Sequence, residues 1–305
     1  MRIVVVGEGM LELSCAASGG ASNWRLGHGG DTLNSAIHLA RFGADVAYAT
    51  ALGDDPFSDR LRTAWAEEGL DVSLVLTDPD RRPGLYAITT DRAGERSFTY
   101  WRNDSAARRL FASPDIARVA AAVAKADILL FSLISLAVLP PEGRTALFDL
   151  CRSLRARGGR IAFDSNYRPR LWANQEEARR AHAEALALTD IGLPTLEDET
   201  ALHGARDAVV VAGQWRAAGV RDVVVKLGGA GCLVDGEIVP APAKLMPLDT
   251  SGAGDAFDAG YLYARLAGRT PRDAALVGHR LAGWVVMQVG AIPPVSPMFS
   301  YADLA

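Results

Sequence analysis

The sequence predicts one doubly wound α/β domain with a mainly parallel sheet and a small β-sheet lid. Short apolar runs alternate with helical patterns along most of the chain, which is typical of βαβ units. Residues 84–102 instead alternate with period two around a turn, as an antiparallel hairpin does. The chain has 305 residues, 49% of them hydrophobic, which is ample for one large core. We find no internal repeat or long linker, so we expect a single domain over residues 1–305, with lid strands inserted at about 11–26 and 84–102.

Composition narrows the class of function. A formal net charge of −4 argues against nucleic acid as the main partner. No run of about 18 apolar residues predicts a membrane span, and Met1 leads into a strand pattern without a signal peptide. The cysteines, Cys15, Cys151 and Cys232, are far apart and odd in number, so they fit neither a disulfide framework nor metal-ligand spacing. They favour a reducing cytoplasm and positions in the core.

The first strand is predicted at Ile3–Val6, an apolar run that ends in Gly7-Glu8-Gly9. The third glycine and the helix of a dinucleotide fingerprint are missing after it, which argues against a nicotinamide-dependent dehydrogenase. Residues 29–34 read Gly-Gly-Asp-Thr-Leu-Asn and open a helix. Glycines there allow a ligand to approach closely, and Asp31 or Asn34 could hydrogen-bond its hydroxyl groups. The alternative is a plain strand-to-helix turn that Asp31 caps.

Residues 46–52 and 56–68 continue the alternation as a strand and a helix, and the lid hairpin follows. Tyr86, Tyr100 and Arg102 in this hairpin are candidates to reach a substrate. Arg102 could hold a carboxylate in bidentate fashion. The alternative is that each of the three packs against the lid or solvates its surface.

The β/α alternation resumes near residue 115, with strands at 127–131 and 160–163. The second of these runs into Asp164-Ser-Asn166-Tyr-Arg168, at the carboxyl end of a parallel strand. Open α/β sheets bind ligands at that edge. Arg168 could therefore offer charge to a phosphate or a substrate, and a surface ion pair is the alternative.

Further segments complete the predicted sheet and its helices. Thr195 follows a short strand and can cap the helix after it. Lys226 ends a strand beside Gly228 and Gly231, where it could meet nucleotide phosphates while the glycines let a nucleotide lie against the backbone. The spacing is not that of a Walker A loop. A long helix is predicted at 271–289.

The most informative stretch is Asp249-Thr-Ser-Gly-Ala-Gly-Asp255, ahead of a helix-forming segment that begins at Ala256. A loop of this composition brings backbone N–H groups to a helix N-terminus, which is an anion site. A carboxylate at Asp255 would repel a phosphate. That cost makes sense if Asp255 is a base that takes a proton from an attacking hydroxyl. The alternative is Asp255 as an N-cap, with glycines for a tight turn, and the stretch alone supports both equally.

Two motifs together resemble the signatures of the ribokinase/PfkB family of sugar kinases. Gly29-Gly30 through Asn34-x-Ala36, with Gly43 and Gly53 at matching distances, is similar to the first signature. Residues 249–262 resemble the second and more specific one, and the order of the intervening elements fits over essentially the whole chain. The resemblance implies a ribokinase-like fold, with ATP and Mg²⁺ as cofactors and no side chain assigned as a direct metal ligand. It also makes Asp255 the catalytic base, beside an anion hole formed by Gly252, Ala253 and Gly254.

Shorter segments look most like the 2-keto-3-deoxygluconate kinases of that family, at residues 30–34, 84–86, 100–106, 164–169, 278–282 and 290–292. This resemblance implies that the sugar-acid and phosphate region is lined by Gly30, Asp31, Asn34, Tyr86, Tyr100, Arg102 and Arg168. It implies that ATP is bordered by Asn166, Arg168, Thr195, Lys226, Gly228, Gly231, Gly252, Gly254 and His279. The chain departs from the family at one motif. Many members carry Asn-x-x-Glu where this chain has Thr195-Leu-Glu-Asp198, so the roles of Asp198 and Glu199 stay open.

The reaction implied by the resemblance is ATP-dependent phosphorylation of the primary hydroxyl of 2-keto-3-deoxygluconate, giving the 6-phosphate and ADP. Arg102 is then assigned to the substrate carboxylate, which a neutral sugar lacks. The alternatives are a kinase for a neutral sugar such as fructose or ribose, and a non-catalytic sugar- or nucleotide-sensing protein. An exposed β lid is also expected to pair with its copy in a homo-oligomer.

Overall fold

A computed structural model describes residues 1–15, 24–90, 96–295 and 299–304 of the protein. Within them the strands are β1 (Arg2–Val6), β2 (Met10–Cys15), β3 (Trp24–Gly29), β4 (Asp45–Leu52), β5 (Val75–Thr77), β6 (Gly84–Thr90), β7 (Arg96–Trp101), β8 (Ile128–Ser132), β9 (Arg160–Asp164), β10 (Ile191–Gly192), β11 (Asp222–Lys226), β12 (Cys232–Val234) and β13 (Glu237–Val239). The α-helices are α1 (Asp31–Arg41), α2 (Pro56–Glu67), α3 (Ile116–Val123), α4 (Leu133–Val138), α5 (Pro141–Ala156), α6 (Gln175–Leu186), α7 (Leu196–His203), α8 (Ala208–Ala217), α9 (Ala253–Leu266) and α10 (Pro271–Val286).

Nine strands form the main sheet, in the order β13-β12-β11-β10-β9-β8-β1-β4-β5. The strands from β11 to β5 run parallel, and β12 and β13 extend one edge in antiparallel fashion. Because β1 pairs with β4 on one side and with β8 on the other, the direction of winding reverses at β1. Ligands of open α/β sheets bind beyond the carboxyl ends of the strands at such a point. The predicted fold class is confirmed.

Both faces of the main sheet are covered by apolar side chains, which explains the unbroken apolar run in β1. Val4 and Val6 point to one face and pack in a cluster with Phe131. Ile3 and Val5 point to the other face and belong to a second cluster. Successive side chains of a strand alternate between faces, so a strand buried on both sides has no position for a polar residue.

The helices α9 and α10 cross in close contact because a glycine lies at the crossing on each of them. A Cβ atom on Gly260 would lie 2.9 Å from the Cα atom of Gly278. Replacing either glycine would therefore push the helices apart. This packing fixes the position of α9, whose first turn carries the predicted catalytic motif.

A second, four-stranded sheet has the order β3-β2-β6-β7 and forms the small lid. Strand β2 pairs antiparallel with β3 and parallel with β6, and β6 pairs antiparallel with β7. The predicted lid strands are therefore present. The middle of the first predicted insertion, residues 16–23, and the predicted turn of the hairpin, within residues 91–95, lie outside the described residues.

Two predicted boundaries near the catalytic motif were wrong. Helix α9 begins at Ala253 rather than at Ala256, because Gly252 adopts a left-handed conformation with φ of 70° and starts the helix directly after it. Asp255 thus lies inside the first turn, and its alternative reading as the N-cap is wrong. Helix α10 ends at Val286, three residues before the predicted end at Val289.

Cys151 and Cys232 are buried, as predicted, and Cys15 is half-buried at the end of β2. Among the described helices, none is both long and apolar enough to cross a membrane.

Candidate active site

Asp255 is a buried carboxyl group held between two helices. It lies in the first turn of α9 with 8% of its surface exposed, and Asn34 of α1 donates from Nδ2 to its Oδ2 at 2.7 Å. The hydroxyl of Ser35 donates to the Asp255 carbonyl at 3.1 Å. Burial, aided by the charge of Asp31, raises the pKa of Asp255 to about 8. A carboxyl group whose pKa lies near the working pH is suited to accept a proton.

The loop before α9 is held in place by close packing and by hydrogen bonds to Asp249. A Cβ atom on Gly252 would lie 2.5 Å from the Cβ of Ala291, so only glycine fits at the left-handed turn. The carboxylate of Asp249 accepts from the amides of Ser251 at 2.9 Å and Gly290 at 2.7 Å. Asp249 therefore ties the loop to the chain segment that follows α10.

The first turn of α9 supplies N–H groups for an anion. The amide of Ala256 donates to the Gly252 carbonyl at 2.8 Å, which closes the first helical hydrogen bond. The amides of Gly254 and Asp255 precede it, where a helix has no internal acceptor. The amide of Ala253, which was predicted for the anion hole, donates to the Thr250 carbonyl at 3.3 Å. Together with the helix dipole, the amides of Gly254 and Asp255 favour a negative group beside Asp255.

The start of α1 forms a polar floor next to this loop. A Cβ on Gly30 would lie 2.3 Å from the Glu8 carbonyl oxygen, so α1 begins in direct contact with the chain that leaves β1. Asp31 accepts hydrogen bonds from the hydroxyl of Ser132 and, at 3.3 Å, from Nδ2 of Asn166. Burial raises the pKa of Asp31. Three of the predicted residues, Gly30, Asp31 and Asn34, thus lie within one helical turn that faces Asp255.

The lid places two tyrosine rings over this floor. Tyr86 and Tyr100 are direct cross-strand partners, with ring centroids 5.8 Å apart. Tyr86 is buried and donates to Glu12 at 2.5 Å, and its hydroxyl lies where a Cβ on Gly29 would be. Tyr100 is 49% exposed. The lid therefore contacts the start of α1 through Tyr86 and leaves Tyr100 open to a ligand.

Arg102 forms a buried ion pair with Glu8. Its Nε donates to Oε2 of Glu8 at 2.6 Å, and both side chains are buried. The other oxygen of Glu8 has no hydrogen-bond partner among the described residues. Glu8 holds one edge of the guanidinium and leaves the remaining N–H groups for another acceptor. The sequence analysis missed Glu8, although its position directly after β1, at the ligand-binding edge of the sheet, was a usable signal.

Arg168 and Asp198 form an ion pair near Asp164. Arg168 Nη1 donates to Asp198 Oδ1 at 2.9 Å, and about half of the Arg168 side chain is exposed. Burial and the nearby Asp164 raise the pKa of Asp198 to about 6, against the lowering effect of Arg168. Glu199 is buried outside this site and bonds His182 at 3.0 Å. The structure thus separates the two acidic residues whose roles the sequence left open.

Lys226 is engaged with two carboxylates. Its Nζ lies 3.0 Å from Asp164 and 2.8 Å from Asp258, and all three side chains are buried. Burial acts against its charge, but the two carboxylates raise the pKa of Lys226, so it is a cation. A Cβ on Gly254 would lie 3.8 Å from Nζ, which places the ammonium directly behind the anion-binding loop. The sequence analysis missed the partner Asp258.

Of the other residues predicted to border a nucleotide, Thr195, Gly228 and Gly231 follow strands β10 and β11, and His279 lies on α10. Thr195 is the N-cap residue of α7 but makes no side-chain capping hydrogen bond. Its backbone forms an isolated parallel β-bridge with Lys226. Gly228 and Gly231, with φ of 59° and 114°, shape the turn between β11 and β12. His279 of α10 packs edge-on against Phe257, and its Nε2 has no partner in the part of the chain that the structure describes.

Comparisons with known proteins agree with this geometry. The sequence matches the model of the pfkB family carbohydrate kinases over residues 1–297. A 2-dehydro-3-deoxygluconokinase of Escherichia coli strain K12 is 45% identical, with 97% of this chain and 98% of that protein covered. The crystal structure of a PfkB protein from Polaromonas sp. JS666 is 28% identical, with a TM-score of 0.85 over 100% of this chain and 99% of that one. A putative ribokinase II of E. coli in complex with ATP and Mg²⁺ is 19% identical, with a TM-score of 0.81 over 99% and 97% of the two chains.

An α/β fold with a buried carboxyl group beside an amide-lined helix N-terminus defines a phosphoryl-transfer protein of the ribokinase-like class. The chain belongs to the pfkB family of carbohydrate kinases.

Proposed function

We propose that the protein is a 2-dehydro-3-deoxygluconokinase, the enzyme also called 2-keto-3-deoxygluconate kinase. It transfers the γ-phosphoryl group of ATP to the primary hydroxyl of this sugar acid, giving the 6-phosphate and ADP. The observation that carries the proposal is the buried Asp255 in the first turn of α9, opposite a lid that presents Arg102. The E. coli relative, 45% identical over nearly its whole length, supports the choice of substrate.

Asp255 has the position and the pKa of a general base. It takes the proton of the sugar hydroxyl as that oxygen attacks the γ-phosphorus, and the bond from phosphorus to the β-phosphate oxygen breaks. Negative charge spreads over the transferred group, and the amides of Gly254 and Asp255 stabilise it as preorganised donors. Asn34 keeps the carboxylate of Asp255 oriented through its 2.7 Å hydrogen bond.

The acidic residues at the carboxyl ends of the strands fit a Mg²⁺ ion brought by ATP. Magnesium keeps several of its waters and binds through one or two carboxylates together with phosphates. Asp164 and Asp198 lie close enough for the charge of Asp164 to raise the pKa of Asp198. These two residues would hold the hydrated ion, which supplies positive charge to the phosphates when bound. We also place the enzyme in the cytoplasm, where ATP is available.

The most direct experiment is a substrate panel with purified protein, ATP and Mg²⁺, in which ADP release is measured. The panel contains 2-dehydro-3-deoxygluconate, its galactose epimer, fructose and ribose. We expect the highest kcat/KM with one of the two sugar acids. Preference for fructose or ribose would favour a neutral-sugar kinase, and no ADP release with any sugar would favour a sensing protein.

Arg102→Lys tests recognition of the substrate carboxylate without leaving Glu8 unpaired. Lysine keeps a positive charge beside Glu8 but cannot bind a carboxylate through two parallel N–H groups. Hydrogen bonds to charged groups contribute roughly 1.5–3 kcal/mol, so we expect KM for the sugar acid to rise about 10- to 100-fold.

Two comparisons make that result specific. Arg109→Lys, at a surface arginine that pairs with Asp78, should leave KM unchanged. Activity with any neutral sugar should also hardly change in Arg102→Lys. An unchanged KM for the acid would show that Arg102 serves only to neutralise Glu8.

We further propose that the lid mediates a homodimer. The cross-strand register puts Trp24 and Trp101 on the face of the small sheet opposite to Tyr86 and Tyr100, and they are 45% and 57% exposed. Two large exposed aromatic side chains on one sheet face are suited to pair with a second copy.

Trp101→Lys should convert this dimer to a monomer in size-exclusion chromatography with light scattering. Met246→Lys, which changes an exposed apolar residue outside the lid, should leave the dimer intact. A monomeric wild-type protein, or a dimeric Trp101→Lys variant, would contradict the proposal.

A further inference from the structure

A second cluster of polar side chains lies between α6 and α7. Glu199 and His203 are four residues apart on α7, so they project from the same face of that helix. His182 of α6 lies between them. Its Nε2 is 3.0 Å from Glu199 Oε1, and its Nδ1 is 3.3 Å from His203 Nε2. His182 and Glu199 are buried and His203 is half-buried.

The hydrogen bond to Glu199 determines which nitrogen of His182 carries the proton. A carboxylate only accepts, so Nε2 must donate to it and the lone pair of a neutral His182 lies on Nδ1. That lone pair faces His203. A histidine that donates one ring N–H to a carboxylate and offers its other nitrogen is the arrangement that protein metal sites use to orient their ligands.

The distance between the two histidine nitrogens also fits a metal ion. Zinc binds histidine nitrogen at about 2.0–2.1 Å, so two such ligands at a tetrahedral angle are about 3.3–3.4 Å apart. The observed separation of His182 Nδ1 and His203 Nε2 is 3.3 Å. One ligand atom from each of the three residues lies within 4.8 Å of the others.

The cluster opens into a cavity of about 280 Å³ that is also lined by Leu186, Gln214 and Trp215. This volume leaves room for water molecules in the remaining coordination positions. Arg206 lines this cavity and Arg179 lies nearby, and their positive charges disfavour a cation. Arg206 donates to the His203 carbonyl and to Gln214, and Arg179 donates to the Leu202 carbonyl. We therefore expect a weaker site than a four-ligand zinc centre.

We propose that His182 and His203 bind a divalent transition-metal ion of the zinc type, with Glu199 hydrogen-bonded behind His182 and water completing the coordination. The site is separate from the candidate active site and does not depend on the proposed function. By joining α6 to the end of α7, the ion would stabilise the helix whose first turn carries Asp198. The competing explanation is that the three side chains only hold the two helices together.

Cobalt and zinc distinguish the two explanations. The full-length protein, without a histidine tag and without nucleotide, is titrated with Co²⁺. We expect the strong visible absorption of tetrahedral Co²⁺, which Zn²⁺ abolishes by competition. We also expect Zn²⁺ to raise the thermal midpoint, since an ion that binds only the folded state stabilises it, and a chelator to reverse this. Weak octahedral absorption in the wild-type protein, with no change in midpoint, would by itself overturn the proposal.

Variants locate the site. His203→Gln should abolish both the visible absorption and the Zn²⁺-dependent rise in midpoint, whereas His28→Gln, at a half-buried lid histidine, should retain both. Glu199→Gln should weaken Zn²⁺ binding by about 10-fold or more, within the range that loss of a group behind a ligand causes. If the side chains only join the helices, His203→Gln lowers the metal-free midpoint and Zn²⁺ has no effect on any variant.

Discussion

Asp255→Asn is expected to lower kcat by at least about 100-fold, because a positioned general base contributes roughly that much or more. Asparagine has the same shape and can still accept the hydrogen bond that Asn34 donates to this position, so the geometry of the site should persist. Initial rates of ADP release at saturating substrate measure the effect. Asp59→Asn, at an exposed aspartate of α2, is the matched control and should leave kcat unchanged. Near-wild-type turnover in Asp255→Asn would remove Asp255 from the reaction.

The same variant should be more stable than the wild-type protein at mildly alkaline pH. Burial, aided by Asp31, raises the pKa of Asp255 from an ordinary 3.8 to about 8 in the folded protein. Between these values the folded state holds a proton that the unfolded state has released. The contribution of this group to stability therefore falls as pH rises from about 4 to about 8. Asparagine has no proton to lose at this position.

Thermal unfolding of both proteins at the two ends of this range separates loss of the base from loss of the fold. We expect equal midpoints near pH 4 and a higher midpoint for Asp255→Asn near pH 8. Catalytic groups commonly lower the stability of a protein in this way, because they are present for the reaction and not for their contribution to folding. A lower midpoint for the variant at both pH values would attribute its lost activity to misfolding.

The fold was predictable because its signals are local. The apolar run Ile3–Val6 is short, bounded by glycine and buried on both faces, and each of these properties is visible in the sequence. The lid hairpin was predictable because apolar and polar residues alternate with period two between residues 84 and 102. The wrong predictions concern the ends of helices, where the conformation of a single residue decides where the helix begins or ends. Gly252 starts α9 three residues early because a left-handed glycine can serve as the N-cap.

The composition of the site was less predictable because partners come together across long stretches of chain. Arg102 was predicted to hold a substrate carboxylate, and the structure shows that it also pairs with Glu8, which lies 94 residues earlier. Nothing in the local pattern around Arg102 records that contact. Glu199 and His203 have a helical spacing that can be read from the sequence, but their partner His182 lies on another helix. The types of the site residues and their location at one edge of the sheet could be predicted from the sequence. The side chains with which they pair could not.

Lys226 is the clearest case in which the pairing could not be predicted. The sequence predicts that Lys226 meets nucleotide phosphates, whereas in the structure it pairs with two carboxylates. Asp164 ends β9, Lys226 ends β11 and Asp258 lies one turn after Asp255 on α9. The ammonium therefore joins two strands of the sheet to the helix that carries the base. Removing one partner of a buried ion pair leaves the others as uncompensated buried charges, which costs about 3–5 kcal/mol.

Lys226→Met is accordingly expected to lower the free energy of unfolding by about 3–5 kcal/mol, a large share of the roughly 5–15 kcal/mol that stabilises a typical domain. Denaturant unfolding measures the change, and Lys125→Met, at an exposed lysine of similar shape, should leave stability within about 0.5 kcal/mol of wild type. The double variant Lys226→Met/Asp258→Asn should be more stable than Lys226→Met alone, because it removes the more deeply buried of the two stranded carboxylates. Equal stability of Lys226→Met and Lys125→Met would mean that the carboxylates are already neutralised by protons. Additive effects of Lys226→Met and Asp258→Asn would mean that the ammonium does not hold α9 to the sheet.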